Sequence, residues 1–139
     1  MSCARTTDLM KSRTVSVSIA LPPAQVYDFT ANPENLPRWA PAFCRSIAYE
    51  NGEWIIQSPD GPAAIRFTER NAYGILDHSV RLPSSQEIRV PMRVIPNGEG
   101  SEVCLTLFQA PGMTEEQFAE DARLVGSDLH NLKRVLEER

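Results

Sequence analysis

Two histidines, three tyrosines, two tryptophans and three cysteines are the side chains from which proton transfer, thiol chemistry or aromatic recognition would have to be built in this 139-residue chain. Asp77 adjoins His78, which invites an acid–imidazole dyad. Successive residues of a strand point to opposite faces, however, so the pair cannot converge on one substrate atom. An isolated imidazole in apolar surroundings can still serve as acid, base or hydrogen-bond donor. His130 reads as a solvated residue at the edge of a helix. Cys3, Cys44 and Cys104 are odd in number, widely spaced and form no C-x-x-C pair, so neither a disulfide framework nor a zinc site is indicated. No nucleophile elbow, phosphate loop or dinucleotide fingerprint occurs, and Gly98-Glu99-Gly100 reads as a turn. The sequence therefore calls for no metal and no nucleotide cofactor.

The elements that must position these residues follow from periodicity. Thr14 to Ala20 alternates strictly, with Val15, Val17 and Ile19 on one face, as in a half-buried strand. Leu21-Pro22-Pro23 ends it, and a short helix over Ala24 to Thr30 carries Val26, Tyr27 and Phe29. A second helical turn follows, capped by Asn32, opened by Pro33 and bearing Leu36 and Trp39. The dipeptides Asn51-Gly52, Asp60-Gly61 and Asn97-Gly98 readily adopt tight turns and imply an antiparallel meander. Strands are expected at Phe43 to Glu50, Glu53 to Ser58, Ala63 to Arg70, Gly74 to Leu82, Gln86 to Ile95 and Ser101 to Gln109, seven with the first. Thr114 and Gln117 form a capping box at the start of a long helix. Its stripe Phe118, Ala122, Val125, Leu129, Leu132 and Leu136 runs to about Glu138. Glu115, Glu116, Glu120, Asp121 and Asp128 read as its solvated face.

Cross-strand partners share a face, so the inward set can be propagated from strand to strand. The Asn51-Gly52 turn pairs Trp54 with Tyr49 and Ile56 with Ile47. The next turn is expected to bring Phe67 beside Trp54 and Ile65 beside Ile56. Phe67 then opposes His78, His78 opposes Val90, and Val90 opposes Leu107, with Leu76, Val80, Ile88, Met92, Val94, Val103 and Leu105 on the same concave face. Asp77 falls on the outer face between Arg89 and Arg93. Ala119, Ala122 and Gly126 make a small-residue ridge on the helix, which either leaves a cavity beneath it or permits close helix-on-sheet packing.

This order of elements, α+β with a seven-stranded antiparallel sheet around a C-terminal helix, resembles the helix-grip fold of the START-like (SRPBCC) superfamily. That superfamily takes in polyketide cyclases and dehydrases, birch-allergen-type proteins and lipid-transfer domains. The residues that carry the resemblance are Val17-Ser18-Ile19-Ala20-Leu21-Pro22-Pro23-Ala24-Gln25-Val26-Tyr27-Asp28-Phe29, Asn35-Leu36-Pro37-Arg38-Trp39-Ala40-Pro41 and the terminal helix through Asp128-Leu129-His130-Asn131-Leu132-Lys133. Gly74-Ile75-Leu76-Asp77-His78, Pro91-Met92-Arg93-Val94 and Gly112-Met113-Thr114 resemble a bacterial subgroup of unassigned function. The resemblance implies a cavity between helix and sheet. It also implies binding or carriage of a small hydrophobic ligand, with a cyclase or dehydrase using His78, Tyr27 or Tyr49 as one alternative and a co-chaperone-type interaction module as another.

The expected ligand-binding set is Trp54, Phe67, Leu76, His78, Val80, Val90, Met92, Leu105, Leu107, Ala122 and Gly126. His78 is also the catalytic candidate, weighed against a core histidine satisfied by a backbone carbonyl. For Trp39 a core role is the better reading.

With 42% apolar and 23% charged residues the chain fits one domain over residues 14–139, preceded by a flexible leader over 1–13. A formal charge of −4 and a pI near 5.2 argue against a nucleic-acid partner. No run is long and apolar enough for a membrane span, and no secretory signal is apparent, which points to the cytoplasm. A homodimer remains compatible with these readings.

Overall fold

A computed structural model describes residues 9–138, so Cys3 and most of the expected leader lie outside the described residues. Strand β1 (Ser12–Ile19) begins two residues before the expected strand and pairs antiparallel with β8 (Gly100–Phe108), placing Val15 opposite Leu105 and Val17 opposite Val103. Helix α1 (Pro23–Thr30) starts on proline, whose fixed φ suits a first helical position. A 3₁₀ turn (Pro33–Asn35) follows, its Asn32 side chain accepting from the Glu34 N–H at 3.1 Å, and leads into α2 (Leu36–Trp39). The meander β2 (Ser46–Glu50), β3 (Glu53–Ser58), β4 (Gly61–Phe67), β5 (His78–Arg81), β6 (Glu87–Val90) and β7 (Met92–Asn97) precedes β8. Helix α3 (Glu115–Glu137) opens on the expected capping box, with Thr114 and Gln117 exchanging side-chain-to-backbone bonds of 3.0 Å.

The strands number eight, in two sheets rather than one of seven: β1-β8-β7 and β2-β3-β4-β5-β6. Two breaks cause the division. Pro91 cannot donate to a ladder, and it splits the expected strand Gln86 to Ile95 between the sheets. The expected strand Gly74 to Leu82 changes sheets at Asp77. Its first part lies along β7, with Gly74 O accepting from Val94 N at 2.9 Å and Leu76 N donating to Met92 O at 2.8 Å, whereas His78 pairs with Phe67 and Val90.

Asp77 holds this junction together. Its Oδ1 accepts from Met92 N at 2.8 Å, the place a ladder carbonyl would take, and its carboxylate pairs in bidentate fashion with Arg93 at 3.0 and 2.9 Å. It lies on the outer side as expected, where it ties the two sheets together. The Arg93 hydrogen bonds hold its carboxyl below the usual range against the cost of burial.

The core between sheets and helix contains Val17, Ile19, Val26, Leu36, Ile56, Ile65, Leu76, Met92, Val94, Val103, Leu129, Leu132 and Leu136. Helix α3 packs chiefly on β1 and α2, and its Leu129, Leu132 and Leu136 share the core with Ile56 and Ile65 of the five-stranded sheet. Gly126 therefore faces β1. A Cβ built there meets the Val15 methyl at 3.7 Å, an ordinary contact, and the residue has no positive φ. Gly126→Ala is expected to stabilise the protein by up to about 1 kcal/mol, since alanine loses less chain entropy in a helix interior. Urea denaturation checks this, and a lowered midpoint would show that the α3–β1 contact is tighter than the geometry indicates.

Candidate functional site

The registers place Tyr49 opposite Trp54, Trp54 opposite Ile65, Phe67 opposite His78 and His78 opposite Val90. All therefore share the inner face of the second sheet. The expected register of β3 on β4 is corrected. Trp54 meets Ile65 rather than Phe67, and Ile56 meets Ala63 rather than Ile65. The tight turn is Pro59-Asp60, because the Ser58 hydroxyl donates to Gly61 O at 2.7 Å and accepts from Asp60 N at 3.2 Å. The slip is two residues, an even number, so every side chain keeps its face. Val90, expected opposite Leu107, ends β6 before Pro91 and stands outside the β7–β8 ladder.

The expected site residues divide into two groups. Leu76, Val80, Met92, Leu105 and Ala122 are buried and act as packing. Trp54, Phe67, His78, Val90, Leu107 and Gly126 keep some access to solvent. Trp54, Phe67, His78 and Val90 are half-buried on the inner face of the second sheet, and Trp54, Phe67 and Val90 pack against the edge of the core. Tyr49 and Ile88, which are 62% and 37% exposed, extend this face to the edges of the sheet. Its inward positions from β2 to β6 carry no charged side chain. Gly126 belongs to the α3–β1 contact and lies on the other sheet's side.

The rings come in two pairs. Tyr49 meets Trp54 edge-on at 5.0 Å, and Phe67 meets His78 at 5.0 Å with a tilt of 43°. His78 Nδ1 lies 3.0 Å from Leu76 O. A carbonyl only accepts, so the ring donates from Nδ1 and carries its lone pair on Nε2 when neutral. Burial lowers the pKa of His78, the Leu76 bond and the Asp77 charge opposing this more weakly. At Nδ1 this is the histidine satisfied by a backbone carbonyl, and Nε2 makes no bond to a described residue. Tyr27 is occupied elsewhere. Its hydroxyl accepts from Asn71 N at 3.0 Å and its ring lies beneath Arg70.

A buried carboxylate escaped the sequence reading. Asp128, expected on the solvated face, is 6% exposed at the contact of α3 with the loop after α2, and accepts from Ala42 N at 3.3 Å. Desolvation raises its pKa to about 6, against the lowering effect of the Ala42 and Phe43 N–H groups. One turn on, Asn131 donates to the Arg38 and Trp39 carbonyls at 3.1 Å each. Nearby Trp39 is buried as core, its Nε1 without a partner among the described residues.

Two open clefts lie away from the apolar face. One of about 500 Å³ is lined by His130, Lys133, Arg134, Glu137 and Glu138 on α3. The other, of about 250 Å³, lies beside Ile55, Ala64, Arg81 and Pro83. Neither contains any of the expected site residues. No helix among the described residues is long and apolar enough to cross a membrane, and no group of three or more His, Cys, Asp or Glu there is placed to hold a metal ion.

The profile of a family described as "Polyketide cyclase / dehydrase and lipid transport" matches residues 10–137. No curated protein matches the chain. Among solved structures, Ara h 8.0201 superposes with a TM-score of 0.70 at 12% identity, over 94% of this chain and 99% of its own. The Aha1 dimer from Colwellia psychrerythraea gives 0.72 at 15%, over 92% and 97%. The di-domain ARO/CYC BexL from the BE-7585A biosynthetic pathway gives 0.66 at 21%, over 92% of this chain and 47% of its own. At these identities the likeness concerns the fold.

Proposed function

The chain belongs to the polyketide cyclase / dehydrase and lipid transport family, and from that membership we propose that it binds a small hydrophobic molecule on the open inner face of its second sheet. The observation that supports this reading is the uncharged, half-buried surface of Trp54, Phe67, His78 and Val90, with Tyr49 and Ile88 at its margins, away from the chief contacts of α3 with β1 and α2. Such a surface gains roughly 25 cal/mol per Å² of apolar area removed from water, and one convergent polar group supplies orientation.

Titration with the neutral dye N-phenyl-1-naphthylamine, followed by NMR, tests the reading. Trp54, Phe67, His78 and Val90 signals are expected to shift together and saturably. Shifts confined to the outer face around Ile55 and Pro62 would overturn it. Native mass spectrometry of freshly purified protein would identify a retained compound.

The second reading, a cyclase or dehydrase, is favoured by the accessible lone pair on His78 Nε2 and the depressed basicity of that ring. A carrier releases its ligand unchanged, whereas an enzyme returns it cyclised or dehydrated, so the mass of the released compound separates the two. A co-chaperone-type module would instead engage a protein partner. A cytoplasmic location and a homodimer belong to the same set of proposals.

A further inference from the structure

The proposed ligand face has a definite hydrogen-bonding sense. His78 Nδ1 is committed to Leu76 O at 3.0 Å, so the neutral ring can offer only an acceptor at Nε2. Nε2 makes no bond to any described residue, so its lone pair is left for an incoming group. Burial favours the neutral ring, lowering its pKa from the ordinary value. The inward positions of β2 to β6 supply no cation for an anionic ligand and no carboxylate for a cationic one. The rings of Tyr49, Trp54 and Phe67 supply the remaining wall.

We infer that the molecule bound here is an uncharged aromatic compound that presents a hydroxyl or N–H to His78 Nε2, making His78 a specificity residue that selects hydrogen-bond donors over acceptors. The inference rests on the proposed binding reading and adds the chemistry of the ligand to it. A keto or ether oxygen at this place would face a lone pair and leave both acceptors unsatisfied.

Paired probes test it: 2-naphthol and 2-methoxynaphthalene share a ring system, and the ether is the more hydrophobic. The wild-type protein is expected to bind 2-naphthol about five- to tenfold more tightly, the value of one hydrogen bond. His78→Phe should abolish the preference while retaining affinity for 2-methoxynaphthalene. Nitrogen-15 shifts of the imidazole in the unsubstituted protein supply a measurement independent of any variant, and should show a protonated Nδ1 and an unprotonated Nε2. Equal affinity for the two probes, a preference that survives His78→Phe, or a protonated Nε2 in the neutral ring would overturn this inference alone. Failure of either probe to perturb Trp54, Phe67 and His78 would overturn the binding reading and the inference with it.

Discussion

Gly74→Ala is expected to destabilise the protein by more than about 2 kcal/mol. Gly74 has φ +72°, a conformation costly for a side-chain-bearing residue, and a Cβ there would stand 2.2 Å from Val94 O. The clashing atom is backbone of β7, and Val94 N is itself bonded to Gly74 O at 2.9 Å, so relief requires separating the segment Gly74 to Leu76 from the first sheet. Gly52→Ala is the control, because its φ of +81° carries a similar conformational cost but nothing lies within 4 Å of a Cβ. Circular dichroism melts of the two variants separate strain from collision. Equal losses would show that the close approach to Val94 contributes nothing.

Asp128→Asn is expected to stabilise the protein at pH 8, by up to about 3 kcal/mol, and to do so much less at pH 4. The pKa of Asp128 rises from 3.8 unfolded to about 6 folded, so the native state binds the extra proton between those values. Stability from this group is fully present at low pH, falls as the carboxylate ionises between about pH 4 and 6, and stays low above. The amide is isosteric and its oxygen can still accept from Ala42 N, so the variant avoids the penalty of a buried charge, less the cost of any amide hydrogen left unpaired. Urea titrations of both proteins at each pH provide the comparison, and the pairing cancels the other carboxylates. A stability gap independent of pH would mean that Asp128 is solvated after all.

How legible all this was in the sequence depends on how local the determining contacts are. Asn51-Gly52 set the β2–β3 register correctly because two positive-φ residues define a tight turn by themselves. Thr114, Gln117, Asn32 and Pro33 marked helix starts for the same reason. Asp60-Gly61 misled by two residues because the Ser58 hydroxyl, not the glycine, anchors that turn. The division into two sheets was hidden more deeply. Pro91 announced a missing donor, but that Asp77 would bond Met92 N from fifteen residues away could not be read from spacing. Asp128 was misplaced because a carboxylate on a helix ordinarily faces water, and the donors that retain it come from a loop 86 residues distant. The inward turn of His78 was legible, since alternation survives any even slip. What remained hidden was the lie of α3, and with it which inward residues are core and which are open.

The order of strands in the two sheets has a bearing on how the chain acquires its structure. The second sheet is made of sequential neighbours, each pairing with the next strand in the chain, and can assemble while later residues are still being synthesised. The first sheet cannot. Ser12 pairs with Phe108, so β1 has no strand partner until almost the whole chain has emerged, and α3, which covers β1, comes later still. Throughout that interval Val15, Val17 and Ile19 present an unpaired apolar ribbon. Closure of β1 on β8, the most non-local strand pairing in the fold, is therefore expected to be the slow event of folding, and the interval before it the time of greatest exposure to aggregation.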